Sequence, residues 1–142
     1  GLWGWSGGGS NTLYSLFHSP GTWRAGVAGA PVTDWHLYDS IWTERYLDRP
    51  DGPAGNEEGF VKSSPITAAA NLKDALLVVH GTADDNVHPQ NTWNLIRKLQ
   101  EAKVSYEDMA LPGQTHGVRG DGLLAFYRRM TEFFDRWLAP AE

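Results

Sequence analysis

Ser6 stands in Gly4-Trp5-Ser6-Gly7-Gly8, a G-x-S-x-G pentapeptide. Where this motif follows a strand and opens a helix, the serine occupies a strained turn that lifts its hydroxyl above a sheet. The glycines suit that turn, because its backbones approach too closely for side chains. Such a serine becomes a nucleophile when a base takes its proton and a third group orients the base. Two later stretches offer those groups. Asp84 and Asp85 lie just past the apolar run Ala75–Val79, and His116 lies in Gly113-Gln114-Thr115-His116-Gly117. A carboxylate at a strand's carboxyl end can accept a hydrogen bond from an imidazole and fix its tautomer.

Taken singly, each feature has an ordinary reading: a glycine turn, a capping acid, a surface histidine. Together they fall in the order serine, acid, histidine, each at the end of an expected strand. The spacing leaves the choice between Asp84 and Asp85 open. The other histidines fit less well, since His18, His36 and His80 lie in or beside other elements and His88 is too near Asp84. The implied chemistry is acyl transfer: Ser6 attacks a carbonyl, His116 removes its proton, and the Gly7 N–H steadies the developing oxyanion. A second oxyanion donor normally comes from a loop after an earlier strand.

These groups need a sheet to hold them, and the sequence supplies one. Leu2–Trp5 reads as a short strand, with Gly7-Gly8-Gly9 as its sharp exit and a helix over Ser10–His18. Ala25–Ala30 reads as a second strand of small residues. Trp35, Tyr38, Trp42, Tyr46 and Phe60 follow, with a two-turn helix over Asp39–Leu47 and a polar, exposed excursion from Asp48 to Gly59. Ala75–Val79 has the unbroken apolar pattern of a strand covered on both faces. A helix from Pro89 to Ala102, a less buried strand over Val104–Leu111 and a long amphipathic helix built on Leu123, Phe126/Tyr127, Met130, Phe133/Phe134 and Trp137 complete the order. This alternation predicts an α/β architecture: a parallel sheet with flanking helices, arranged as the later half of an α/β-hydrolase fold. A sheet that opens on its nucleophile strand is expected to continue upstream of Gly1.

Composition narrows the classes. Twelve basic and seventeen acidic residues in 142 give a formal charge of −5, against a nucleic-acid-binding surface. There is no cysteine, which removes disulfides, thiolate ligands and a cysteine nucleophile. The histidine spacing gives no metal signature, no phosphate-binding glycine loop is present, and no cofactor is expected. No run approaches the length of a membrane span.

The chain resembles the carboxyl-terminal part of the catalytic domain in the prolyl oligopeptidase family of serine peptidases, in its dipeptidyl peptidase IV branch. The resemblance is carried by GWSGGG at Gly4–Gly9, APVTDWHLYDSIWTERY at Ala30–Tyr46, HGTADDNVH at His80–His88, and the pair His116-Gly117. It implies a peptidase that removes dipeptides from a free amino terminus, with proline or alanine second. It implies Ser6, Asp84 and His116 as the catalytic residues, which chooses Asp84 over Asp85. It also implies a proline pocket built from Val32, Trp35, Tyr38 and Trp42, with Val87 nearby and Asn86 helping to hold the substrate carbonyl beside it. Rigid aromatics of this kind make a flat-walled apolar pocket suited to a pyrrolidine ring.

Two positions depart from the family pattern: Gly7 stands where a tyrosine is usual, and so does Trp42. They open the pocket and loosen the expected strictness for proline. The resemblance further implies a β-propeller and earlier hydrolase strands as the rest of the same protein, a fragment inactive by itself, homodimers, and a periplasmic or secreted setting. The competing readings are a serine hydrolase of other specificity (acylaminoacyl-peptidase, aminopeptidase or esterase) and a non-catalytic interaction module.

Overall fold

A computed structural model describes residues 1–139 of the chain. Nine regular elements follow in order: β1 (Leu2–Trp5), α1 (Gly7–His18), β2 (Ala25–Gly29), α2 (Ser40–Leu47), α3 (Glu57–Ser63), β3 (Ala75–Gly81), α4 (Gln90–Glu101), β4 (Glu107–Leu111) and α5 (Gly120–Leu138). Two 3-10 segments, Trp35–Leu37 and Pro65–Asn71, lie between β2 and β3. The four strands form one sheet in the order β1-β2-β3-β4, every pair parallel.

The two central strands explain why the sheet needs helices on both faces. In β3, Leu76 and Val78 enter one apolar cluster with Leu13, Leu16 and Phe17 of α1 and Leu95 and Leu99 of α4. Their neighbours Leu77 and Val79 enter the other, with Phe126, Met130 and Phe133 of α5. Strand side chains alternate between faces, so an unbroken apolar run demands cover on each. Small residues in β2 set how closely α1 can lie. A Cβ on Gly26 would press within 2.7 Å of the Leu16 side chain.

The structure corrects several expected boundaries. The helix predicted from Ser10 begins at Gly7, so the three glycines form its first turn and not only an exit. Glycine inside a helix costs about 1 kcal/mol against alanine; close packing explains its use at Gly9, while a Cβ at Gly7 or Gly8 would meet nothing within 4 Å. A Cβ on Gly4 would overlap the backbone of Gly8, and one on Gly9 would come within 2.5 Å of the Gly29 carbonyl oxygen. The fourth strand starts at Glu107 and not Val104, because Lys103 takes a left-handed turn (φ 58°) and the chain must cross back to the sheet first.

The expected excursion Asp48–Gly59 is shorter than the sequence suggested. Asn56 caps α3 by accepting the Gly59 N–H at 3.1 Å, while Glu57 and Glu58 occupy its first turn and Phe60 is buried. Acidic side chains there suit the positive end of the helix dipole. On α5, Phe126, Met130 and Phe133 face the core, but Tyr127 and Trp137 are nearly half exposed. Residue 140 onward lies outside the described residues.

Candidate active site

Ser6 joins the end of β1 to the start of α1 with φ 58° and ψ −122°. A non-glycine residue held there stores roughly 1–3 kcal/mol of strain, which the surroundings must hold. They do so through the backbone. The Ser6 N–H donates to the Gly29 carbonyl at the end of β2 (2.8 Å), and its own carbonyl accepts the Ser10 N–H (3.0 Å). The side chain is left free to project from the carboxyl end of the sheet.

Asp84 and His116 reach the same place from the ends of β3 and β4. His116 Nε2 lies 3.0 Å from Ser6 Oγ, and His116 Nδ1 lies 2.8 Å from Asp84 Oδ2. The Asp84 carboxylate accepts two backbone donors on its other oxygen, from Asn86 N (3.0 Å) and Val87 N (2.9 Å). Its side chain is fully buried and that of His116 is 23% exposed. Asp85, the neighbour that sequence spacing could not exclude, is exposed and makes no such contact among the described residues.

The residue order of these bonds defines the tautomer. Asp84 can only accept, so Nδ1 carries the hydrogen and Nε2 presents its lone pair to the Ser6 hydroxyl. That arrangement can take a proton from a serine as it attacks a carbonyl. The N–H of Gly7 lies in the first turn of α1, where amides have no acceptor within the helix, and the helix dipole adds to their pull on an anion.

The expected pocket residues divide. Trp35 and Trp42 stack with centroids 4.7 Å apart, and Tyr38 sets its edge against both, at 6.3 and 5.9 Å. Asp39 caps α2 by accepting the Trp42 N–H at 2.8 Å, which fixes where that indole leaves its helix. The Tyr38 hydroxyl donates to Asn86 Oδ1 at 3.1 Å, tying the aromatic wall to the Asp84 loop. Burial, and then the nearby charge of Asp39, push the Tyr38 phenol upward, so it stays a donor. Val32 and Val87 are buried, at 2% and 0% exposure.

Two further side chains were missed in the sequence. Trp5 donates its indole N–H to the His116 carbonyl at 3.0 Å, fastening the histidine loop to the serine strand across 111 positions. His80, passed over as a strand-ending residue, is buried beside Asp84. Neither has a local signature. Trp5 occupies the variable position of G-x-S-x-G, and His80 only its place four residues before Asp84.

A cavity of about 240 Å³ opens beside His116, lined by Trp3, Trp5, Gly117, Val118, Leu123, Phe126 and Tyr127. Among the described residues, no group of histidines and acids is arranged to hold a metal. Nor, among those residues, is any helix long and apolar enough to cross a membrane.

A family model described as the prolyl oligopeptidase family matches residues 1–141. The chain belongs to the prolyl oligopeptidase family. Within it, the chain is similar to the probable dipeptidyl-aminopeptidase B of Arthroderma gypseum, 46% identical over 120 residues, which are 82% of this chain and 13% of that protein. The corresponding protein of Talaromyces marneffei is 46% identical over 146 residues, covering 99% of this chain and 15% of its own length. The crystal structure of Porphyromonas gingivalis dipeptidyl peptidase 4 superposes with a TM-score of 0.88 at 40% identity, covering 92% of this chain and 18% of that one. This member of the prolyl oligopeptidase family thus spans about one seventh of the length of these curated relatives. Its serine-peptidase kinship is to the dipeptidyl peptidase IV branch.

Proposed function

We propose that this chain is the carboxyl-terminal part of the catalytic domain of a longer serine peptidase, one that releases dipeptides from free amino termini with proline or alanine second. The observation that supports this reading is the bond sequence Asp84–His116–Ser6 at 2.8 and 3.0 Å on a strained strand-to-helix turn. Ser6 Oγ attacks the carbonyl of the second residue while His116 Nε2 takes the hydroxyl proton. The tetrahedral oxyanion is held by the Gly7 N–H. His116 then returns the proton to the departing amine, leaving the dipeptide as an ester on Ser6, which water cleaves by the same steps reversed. Asp84 stays ionised throughout and steadies the imidazolium. No cofactor enters this scheme.

The partners in this reading are peptide substrates, the upstream part of the same polypeptide and a second copy of the protein. A periplasmic or secreted setting belongs to the same proposal. The upstream part supplies the second oxyanion donor and the group that recognises the substrate's ammonium. The test therefore uses the full-length protein. A glycyl-prolyl reporter with a free amino terminus is expected to be cleaved at least about a hundredfold faster, in kcat/KM, than its N-acetylated form, since a buried partner for the ammonium is lost on acylation. Equal rates, or faster cleavage of the acetylated form, would replace the dipeptidyl reading with an acylaminoacyl-peptidase or esterase.

The aromatic wall carries a second expectation. A Cβ built on Gly7 meets nothing within 4 Å, so the position has room for a side chain to begin. The Gly7→Tyr, Trp42→Tyr double variant adds a ring beside Ser6 and restores a hydroxyl to the aromatic wall. Its preference for a glycyl-prolyl over a glycyl-leucyl reporter is expected to rise about tenfold, the scale on which apolar pockets discriminate size. An unchanged ratio of kcat/KM values would show that these two positions do not border the second residue.

A further inference from the structure

Asp84 carries a second histidine. His80, the sixth residue of β3, is 3% exposed, with its Nε2 2.8 Å from the Val87 carbonyl and 3.3 Å from Asp84 Oδ2, the oxygen that His116 also uses. Its Nδ1 lies 2.6 Å from the Thr92 hydroxyl on α4. A carbonyl can only accept, so Nε2 carries the hydrogen; in the neutral ring Nδ1 is then an acceptor, and Thr92 donates to it. Burial pushes the His80 imidazole below its usual range, in keeping with that neutral form.

We propose that His80 is a positioning residue for Asp84. Its Nε2–H pins the Val87 carbonyl and touches Asp84 Oδ2, while Thr92 holds the ring in the one tautomer that can do both. The geometry has two consequences. Val87 donates its own N–H to Asp84 Oδ1, so fixing the Val87 peptide fixes the loop that grips the carboxylate. The ring's neutrality also leaves the full charge of Asp84 to His116. A cation at 3.3 Å would compete with the imidazolium that forms there as Ser6 gives up its proton. The chain of contacts runs from α4 through the end of β3 to the nucleophile; in metal sites, the nearest analogue, partners that orient a histidine ligand matter about 10- to 100-fold.

This inference rests on the proposed peptidase activity, and the experiment keeps the two apart. In the full-length protein, His80→Leu, His80→Gln and Thr92→Val are assayed on the free-amino glycyl-prolyl reporter, alone and combined with Asp84→Asn. His80→Leu is expected to lower kcat roughly 30-fold with KM changed less than about threefold. His80→Gln places an amide N–H near the Nε2 position and is expected to recover most of that loss. Thr92→Val, which frees the ring to adopt the other tautomer, is expected to lower kcat about three- to tenfold. In the Asp84→Asn background all three losses are expected to shrink to under about twofold, because a residue that acts through Asp84 has nothing left to orient.

Losses that multiply unchanged onto Asp84→Asn would overturn the proposal and mark His80 as packing alone, as would glutamine no better than leucine. If His80→Leu does not fold, Thr92→Val carries the same cycle, with the same two outcomes. A wild-type protein inactive on every reporter would instead overturn the peptidase reading itself.

Discussion

Ser6→Ala lowers kcat/KM for the glycyl-prolyl reporter by about 10⁴- to 10⁶-fold, the scale seen when a serine nucleophile is removed from a hydrogen-bonded catalytic unit. The size of the expected loss follows from what the hydroxyl does in the fold. Its Oγ has one hydrogen bond among the described residues, to His116 Nε2 at 3.0 Å, while the strained turn is held by the backbone of Ser6 itself. Alanine keeps those backbone bonds. Thermal unfolding of the variant is therefore expected within a degree or two of wild type, and covalent labelling by an organophosphonate probe disappears. Turnover that survives the substitution, with folding intact, would remove Ser6 as nucleophile and the acyl-enzyme scheme with it.

The second large effect separates two adjacent aspartates. Asp84→Asn is expected to reduce kcat about 10⁴-fold, and Asp85→Asn less than threefold. Asp84 is fully buried, accepting from His116, Asn86 and Val87 and lying 3.3 Å from His80 Nε2. An asparagine there turns one accepting oxygen into a donating amide. His116 is then driven to the tautomer that offers Ser6 a hydrogen in place of a lone pair. Asp85 faces solvent and changes little but local charge. Steady-state kinetics on both variants decide the matter, and equal losses would overturn the assignment of Asp84 as the group that orients His116.

Much of this site was legible because its parts carry local signatures. Gly4, Ser6 and Gly8 announce the turn, and the unbroken run Ala75–Val79 places Asp84 at the carboxyl end of a covered strand. What local pattern could not carry was the company each residue keeps. The spacing left Asp84 and Asp85 equal, and only the inward aim of one carboxylate separates them. His80 looked like any histidine at a strand's end until α4 set Thr92 against it.

The fold was readable to a similar depth. Apolar alternation and helix periodicity gave the elements and the parallel class, whereas strand order depends on pairings between distant segments. The early start of α1 runs against the helix propensity of glycine, and only at Gly9 does close approach to Gly29 call for the missing side chain. The helix α3 was hidden by the prolines and glycines before it, although Asn56 followed by two glutamates was a readable start signal.

The bond from Trp5 to the His116 carbonyl, and that from Ser6 to the His116 ring, join positions 111 and 110 residues apart. A ribosome adding 5–20 residues each second spends roughly 5–20 s between making the two ends of these bonds. Throughout that interval the serine lacks its base, and the aspartate, made later still than the serine, waits for its imidazole. A nascent chain is thus a serine-bearing turn with no means of deprotonating it. The long separation means that Ser6, Asp84 and His116 can come together only after residue 116 has been made.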